Sequence, residues 1–155
     1  MSGLATIQRG KGFFASLIAA VFRFPTEGKN VAIDVVIEKS PQRETWNRKF
    51  AGRSFSSIIS RGHGKTDGLI SERFGPFEFA VALVVDDELL RFIVRGWKFC
   101  GIPLPSAWAP GGNSYEFSHN GQFGFNVEIA HPLFGLIVKY TGTLKQIEDD
   151  AHLVK

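Results

Sequence analysis

Apolar and polar residues alternate along most of this chain. Val31, Ile33, Val35 and Ile37 interleave with Ala32, Asp34, Val36 and Glu38, the period-two pattern of a half-buried strand. The same period places Trp46, Arg48 and Phe50 on one face of a strand over 44–50, and Phe55, Ser57 and Ile59 on one face of 54–60. Further strands are predicted over 69–74, 77–85, 88–99, 114–119, 122–130 and 135–144, and a short first one over 3–9. Asp86-Asp87 reads as a tight turn. Asn120-Gly121 reads as a type I′ hairpin tip, because both central residues must take positive φ. That hairpin is expected to bring Phe117 across from Phe123 or Phe125.

One segment breaks the period. Phe13, Phe14, Leu17, Ile18, Val21 and Phe22 recur at helical spacing, which predicts a helix over 11–24 that Pro25 stops. Its Phe13, Leu17 and Val21 face is expected to be buried against the sheet. One helix with about eight or nine strands, joined by short turns, makes a mainly β chain bordering on α+β. Short turns enforce antiparallel neighbours, and closing the sheet removes exposed edges. The architecture expected is therefore a strongly curved antiparallel sheet or barrel, with the N-terminal helix covering or plugging it. Residues 1–147 read as a single β-rich domain and 148–155 as a frayed, charged tail.

Composition adds one feature to this picture. The 155 residues include fifteen Phe but only three Trp and two Tyr, and Phe has no polar handle. Such an excess fits a thick apolar interior or an apolar cavity. The net charge of +3 is mild and its cations are scattered, unlike the footprint of a nucleic-acid binder. The Phe13–Phe22 run lacks a small-x-small cleavage pattern and has about half the roughly twenty residues of a membrane span, so a cytoplasmic protein is expected. Cys100, the lone cysteine, lies in an apolar stretch and reads as a buried thiol rather than a nucleophile.

Candidate chemistry is sparse. Gly64-Lys65-Thr66 lacks the glycine a phosphate loop carries five residues earlier, where Ile59 stands, and a strand rather than a helix is predicted to follow. The four histidines lack the short spacings that put two imidazoles on one metal, so neither a metal site nor a cofactor is expected. The serine-rich Ser54-Phe55-Ser56-Ser57 lacks the glycine frame of a nucleophile elbow, and no catalytic residue is assigned. Charged residues nevertheless interrupt or flank the apolar strands: Arg48, Arg53, Glu72, Arg91, Arg95 and Glu128. Each either belongs to the solvated face of its strand or points inward, where it must be paired. A few inward polar groups in an apolar cavity are what orients a ligand. The candidate ligand-binding residues are accordingly Arg48, Glu72 and Arg91, with Phe77, Phe79, Phe92 and Trp97 from the Phe-rich strands.

Several strings together resemble a bacterial family defined only as a domain of unknown function. They are Trp46-Asn47-Arg48-Lys49-Phe50-Ala51-Gly52, Leu69 to Pro76, Gly101-Ile102-Pro103-Leu104-Pro105 with Pro110, Gly121 to Val127, and Pro132 to Gly142. Members of that family resemble stand-alone proteins or C-terminal extensions of saccharopine dehydrogenase-like proteins. The resemblance implies a small-molecule or cofactor-linked setting and an oxidoreductase-like partner protein, but supplies no catalytic residues. Three functions follow from residues and resemblance together. The first is a module binding an apolar or amphipathic small molecule. The others are a non-catalytic domain docking on a partner protein, and an enzyme using isolated polar groups in an apolar cavity.

Overall fold

The computed structural model describes residues 1–147, so the tail expected over 148–155 lies outside the described residues. Eleven strands run as β1 (Ser2–Arg9), β2 (Gly28–Ser40), β3 (Arg43–Phe50), β4 (Arg53–Arg61), β5 (Ile70–Phe74), β6 (Phe77–Asp86), β7 (Leu89–Phe99), β8 (Ile102–Leu104), β9 (Ser114–His119), β10 (Gln122–His131) and β11 (Gly135–Lys145). Helix α1 (Phe13–Val21) is inserted between β1 and β2. All pairings are antiparallel, in the order β6-β5-β4-β3-β2-β1-β11-β10-β9-β7-β8, and β6 also pairs with β7. That last pairing closes ten strands into a barrel and leaves β8 outside it.

The count exceeds the eight or nine strands expected, for two local reasons. The weakly alternating first segment is a full eight-residue strand, held on both sides by β2 and β11. The three-residue β8 carries Pro103, which has no N–H to donate, so it fits only at an edge, against Trp97–Phe99 of β7. Strand β7 is long enough for two partners on one side: Leu89–Phe92 pair with β9 and Trp97–Phe99 with β8. On its other side the register to β6 shifts between Ala80 and Val81, where Arg95 is the extra residue. Inward positions on β7 therefore change from 90, 92 and 94 to 97 and 99.

The helix departs from the expectation at its end and on its buried face. It stops at Val21, four residues before the proline. Arg23 takes a left-handed φ of 56°, and the Arg23 and Phe24 N–H groups donate to the carbonyls of Ala20 and Ala19. That is a Schellman termination, here without glycine. Arg9 then donates to the carbonyls of Phe24 and Pro25 at 3.1 and 2.9 Å, fixing the exit of the chain. The buried helix face is Ala15 and Ala19, small enough to let α1 lie close on the start of β11. Phe13, Leu17 and Val21, expected inside, are 77, 50 and 70 % exposed.

Burial instead comes from the residues just after the helix. Phe22 packs on Phe77 and Phe24 on Phe55, with Phe50 and Tyr140 continuing the ring cluster inside the barrel. This aromatic plug fills the barrel end where β1 leaves and β2 enters. Ile7, Ile33, Phe50 and Val138 are fully buried there. The Asn120-Gly121 tip takes φ of 49° and 73°, as a type I′ turn needs. Its cross-strand partners differ from expectation: Phe117 lies opposite Gly124 and covers it, while Phe123 and Phe125 oppose Ser118 and Glu116 on the other face. Cys100 is exposed at a turn, at φ 48°, and is not the buried thiol expected.

Candidate functional site

Because the aromatic plug occupies only one end, the barrel is not filled throughout. A cavity of about 1120 Å³ occupies the rest and reaches the turns Ser40–Arg43 and Asp67–Leu69 at the other end. Its walls are mostly apolar: Trp46, Phe55, Ile59, Phe74, Phe79, Val81, Phe92, Val94, Val127 and Ile129. The 105–113 segment completes one wall where β9 stops pairing with β7. Gly111 exchanges two backbone hydrogen bonds with Ala130, at 2.8 and 2.7 Å, and Asn126 donates its side-chain amide to the Asn113 carbonyl. Gly112 comes so close to β10 that a Cβ there would meet the Glu128 carbonyl oxygen at 2.1 Å. The wall thus depends on a glycine.

Four polar side chains converge inside these walls. Arg48, at the middle of β3, sits opposite Phe55 on β4 and reaches over it. Its Nη1 donates to Ser57 Oγ at 2.9 Å, and its Nη2 lies 3.7 Å from Glu72 Oε1 on β5. Arg48 and Glu72 side chains are only 14 and 18 % exposed, so the pair is largely desolvated. The guanidinium also rests over the Trp46 and Phe55 rings, 5.2 and 5.6 Å from their centroids, a cation–π arrangement that holds its plane. Glu116 enters from β9 and Tyr140 from β11, on the inner faces that Phe125 and Val127 share.

Burial governs the titration of the last two. It pushes the Glu116 carboxyl up to about 7, with Glu72 adding to the rise and Arg48 opposing it. Burial pushes the Tyr140 phenol up to about 12, so Tyr140 stays a neutral donor. One guanidinium therefore faces two carboxylates, and Glu116 relieves the excess by holding a proton near neutrality. Arg48 keeps N–H groups beyond those facing Ser57 and Glu72, because a guanidinium carries five. Among the described residues no cluster of three or more His, Cys, Asp or Glu is placed to hold a metal ion. What this arrangement can do is grip one hydrogen-bonding head group while the aromatic and branched side chains take an apolar body.

The candidate residues from the sequence fall into three groups. Arg48 and Glu72 are brought together, and Phe79 and Phe92 line the same cavity. Phe77 and Trp97 stack on each other, 6.2 Å between centroids, beneath Phe22 in the plugged end; they do not line the cavity. Arg91 lies on the outer wall, 2.7 Å from Asp86 and bonded to Asn113. Glu128 likewise faces outward, paired with Lys139. Glu116 and Tyr140 were not among the candidates. In Ser114-Tyr115-Glu116-Phe117 the alternation is clear, but its natural reading puts the two rings inside and the glutamate out, the reverse of what the barrel does.

Residues 1–144, almost the whole barrel, match the family model described as Domain of unknown function (DUF4166). The chain belongs to that family. No curated protein and no solved structure matches it. The DUF4166 match runs from β1 to the last turn of pairing in β11, so every cavity-lining strand lies within it. Among the described residues of this DUF4166 chain, no helix is long and apolar enough to cross a membrane.

Proposed function

We propose that this DUF4166 barrel is a binding module for an amphipathic small molecule, its apolar body in the cavity and its acidic head at Arg48. The observation that carries the reading is the unfilled interior itself. The cavity, about 1120 Å³ and open at the Ser40–Arg43 and Asp67–Leu69 turns, is large enough for a drug-sized ligand and leaves it a way in. Arg48 supplies the charge for the head group, and Glu116, protonated, supplies a donor beside it. Glu72 holds Arg48 in place rather than touching the ligand. In this reading the module works in the bacterial cytoplasm, and an oxidoreductase-like protein is the partner that would deliver or use the ligand.

The test is competition. A fluorescent apolar probe should bind one site per chain and be displaced by a long-chain carboxylic acid. Arg48→Met should weaken the acid by about tenfold or more while leaving the uncharged probe bound, since a charge-assisted hydrogen bond contributes about 1.5–3 kcal/mol. Equal displacement by the acid, its alcohol and its amine in both proteins would remove Arg48 from the reading.

A second reading, an enzyme, has one observation in its favour. A carboxyl held near pH 7 inside an apolar cavity is suited to general acid–base work. Its mark would be turnover of a bound compound that Glu116→Gln abolishes without loss of binding.

A further inference from the structure

The exposed face of α1 is the feature that the cavity reading does not use. Phe13, Phe14, Leu17 and Val21 project away from the barrel. The β10–β11 turn enlarges their patch: Phe14 and Phe134 are 5.2 Å apart between ring centroids, and Leu133 beside them is 72 % exposed. Six contiguous large apolar side chains at a surface mark a contact, because exposed apolar residues are ordinarily scattered singly.

Charge says what kind of surface covers them. Residues 1–33 contain Arg9, Lys11, Arg23 and Lys29 against a single carboxylate, Glu27. Arg9 is spent on the backbone carbonyls after the helix. Lys11 and Arg23 bracket α1 at its two ends, both exposed, and neither forms an ion pair among the described residues. The β10–β11 turn, His131-Pro132-Leu133-Phe134, adds no acid. An apolar ridge flanked by unpaired cations is complementary to the boundary between anionic head groups and acyl chains.

A second copy fits less well. A two-fold contact through this patch would press Lys11 and Arg23 of each copy toward those of the other. Six side chains also fall well short of the roughly 20–30 residues a side of a standard interface. We propose that the α1 face, with Leu133 and Phe134, seats the protein reversibly on an anionic lipid surface, as a monotopic contact rather than a span.

Co-sedimentation of the full chain with vesicles tests this. Phosphatidylcholine vesicles containing about a third phosphatidylglycerol should carry the protein down, whereas pure phosphatidylcholine should leave most of it in solution. Lys11→Glu/Arg23→Glu should weaken binding about thirtyfold or more, from the membrane-surface contribution of each cation. Phe13→Ser/Leu17→Ser should abolish it with an unchanged melting temperature, since both side chains are largely exposed. The charge variant leaves the apolar face intact, so the test survives if the serine variant folds poorly. Wild-type protein that stays in solution with anionic vesicles overturns the proposal. So does equal binding to both vesicle types, or a stable dimer that the serine variant converts to monomer.

Discussion

At the residue scale the central fact is an imbalance: Arg48 shares the cavity with two carboxyl groups, Glu72 and Glu116, and only Glu72 lies within ion-pair distance of it. Glu116 is left to adjust by protonation. Its folded pKa, about 7, is above that of an unfolded glutamate, so the folded state binds more protons between about 4.5 and 7. Stability linked to this group is therefore present at the acid side of that window and is lost as pH rises through 7. Glu116→Gln should remove the loss, and melting curves from pH 5 to 8 should show the variant gaining on wild type by about 1–2 kcal/mol toward pH 8, allowing for solvent in the cavity. Parallel curves would show that Glu116 titrates normally. The same proton should appear in binding. An acid ligand should bind wild type progressively more weakly above pH 7, and Glu116→Gln should flatten that dependence. Arg48→Met should cost about 2 kcal/mol of stability, less than for a fully buried pair, because Glu72 can still reach water through the cavity.

At the element scale, period-two alternation was legible wherever strands have one face on the core. The inner residues of β3, β4 and β6 share the faces their spacing puts them on, Arg48 with Trp46 and Phe50, whereas the inward turn of Arg48 and of Glu72 on β5 was left open by the spacing. Alternation alone could not say which of two mixed faces turns inward, and β9 shows why. Tyr115 and Phe117 are outside because Gly124 leaves a recess that the Phe117 ring fills, while Glu116 is held inside beside Arg48. The helix shows the opposite problem. Its large residues mark a broad stripe, but close packing on β11 selects the small Ala15 and Ala19. Leu17→Asp should consequently change stability by no more than about 0.5 kcal/mol, as surface substitutions do, where a buried site would lose several. Gly142→Ala should do far worse: its Cβ would meet the Leu4 carbonyl oxygen at 2.2 Å, so the β1–β11 seam must part. Thermal denaturation distinguishes them. Gly121→Val should lie between, losing about 1–2 kcal/mol to strain at a positive φ.

At the scale of the whole molecule, the fifteen Phe divide the barrel. One group, Phe22, Phe24, Phe50, Phe55 and Phe77, fills the end near α1 by ring-on-ring packing. Another, Phe74, Phe79 and Phe92, lines the space beyond; Phe79 stacks on Phe77 and Trp97 where the two groups meet, and Phe55 borders both the plug and the cavity. Composition showed the excess of rings but could not apportion them, because that depends on which strands β6–β7 pairing brings round to close the barrel. Closure is also what gathers scattered strand residues into one cavity: Arg48, Glu72, Glu116 and Tyr140 come from four different strands, β3, β5, β9 and β11. The most direct test of the account is a titration of wild type and Val94→Trp with a fluorescent apolar probe. Val94 lines the cavity, and an indole there should fill part of it without touching the plug. The account predicts saturable binding of one probe per wild-type chain and loss of that binding in the folded variant. A wild-type protein that does not saturate, or a variant that binds equally well, would contradict it.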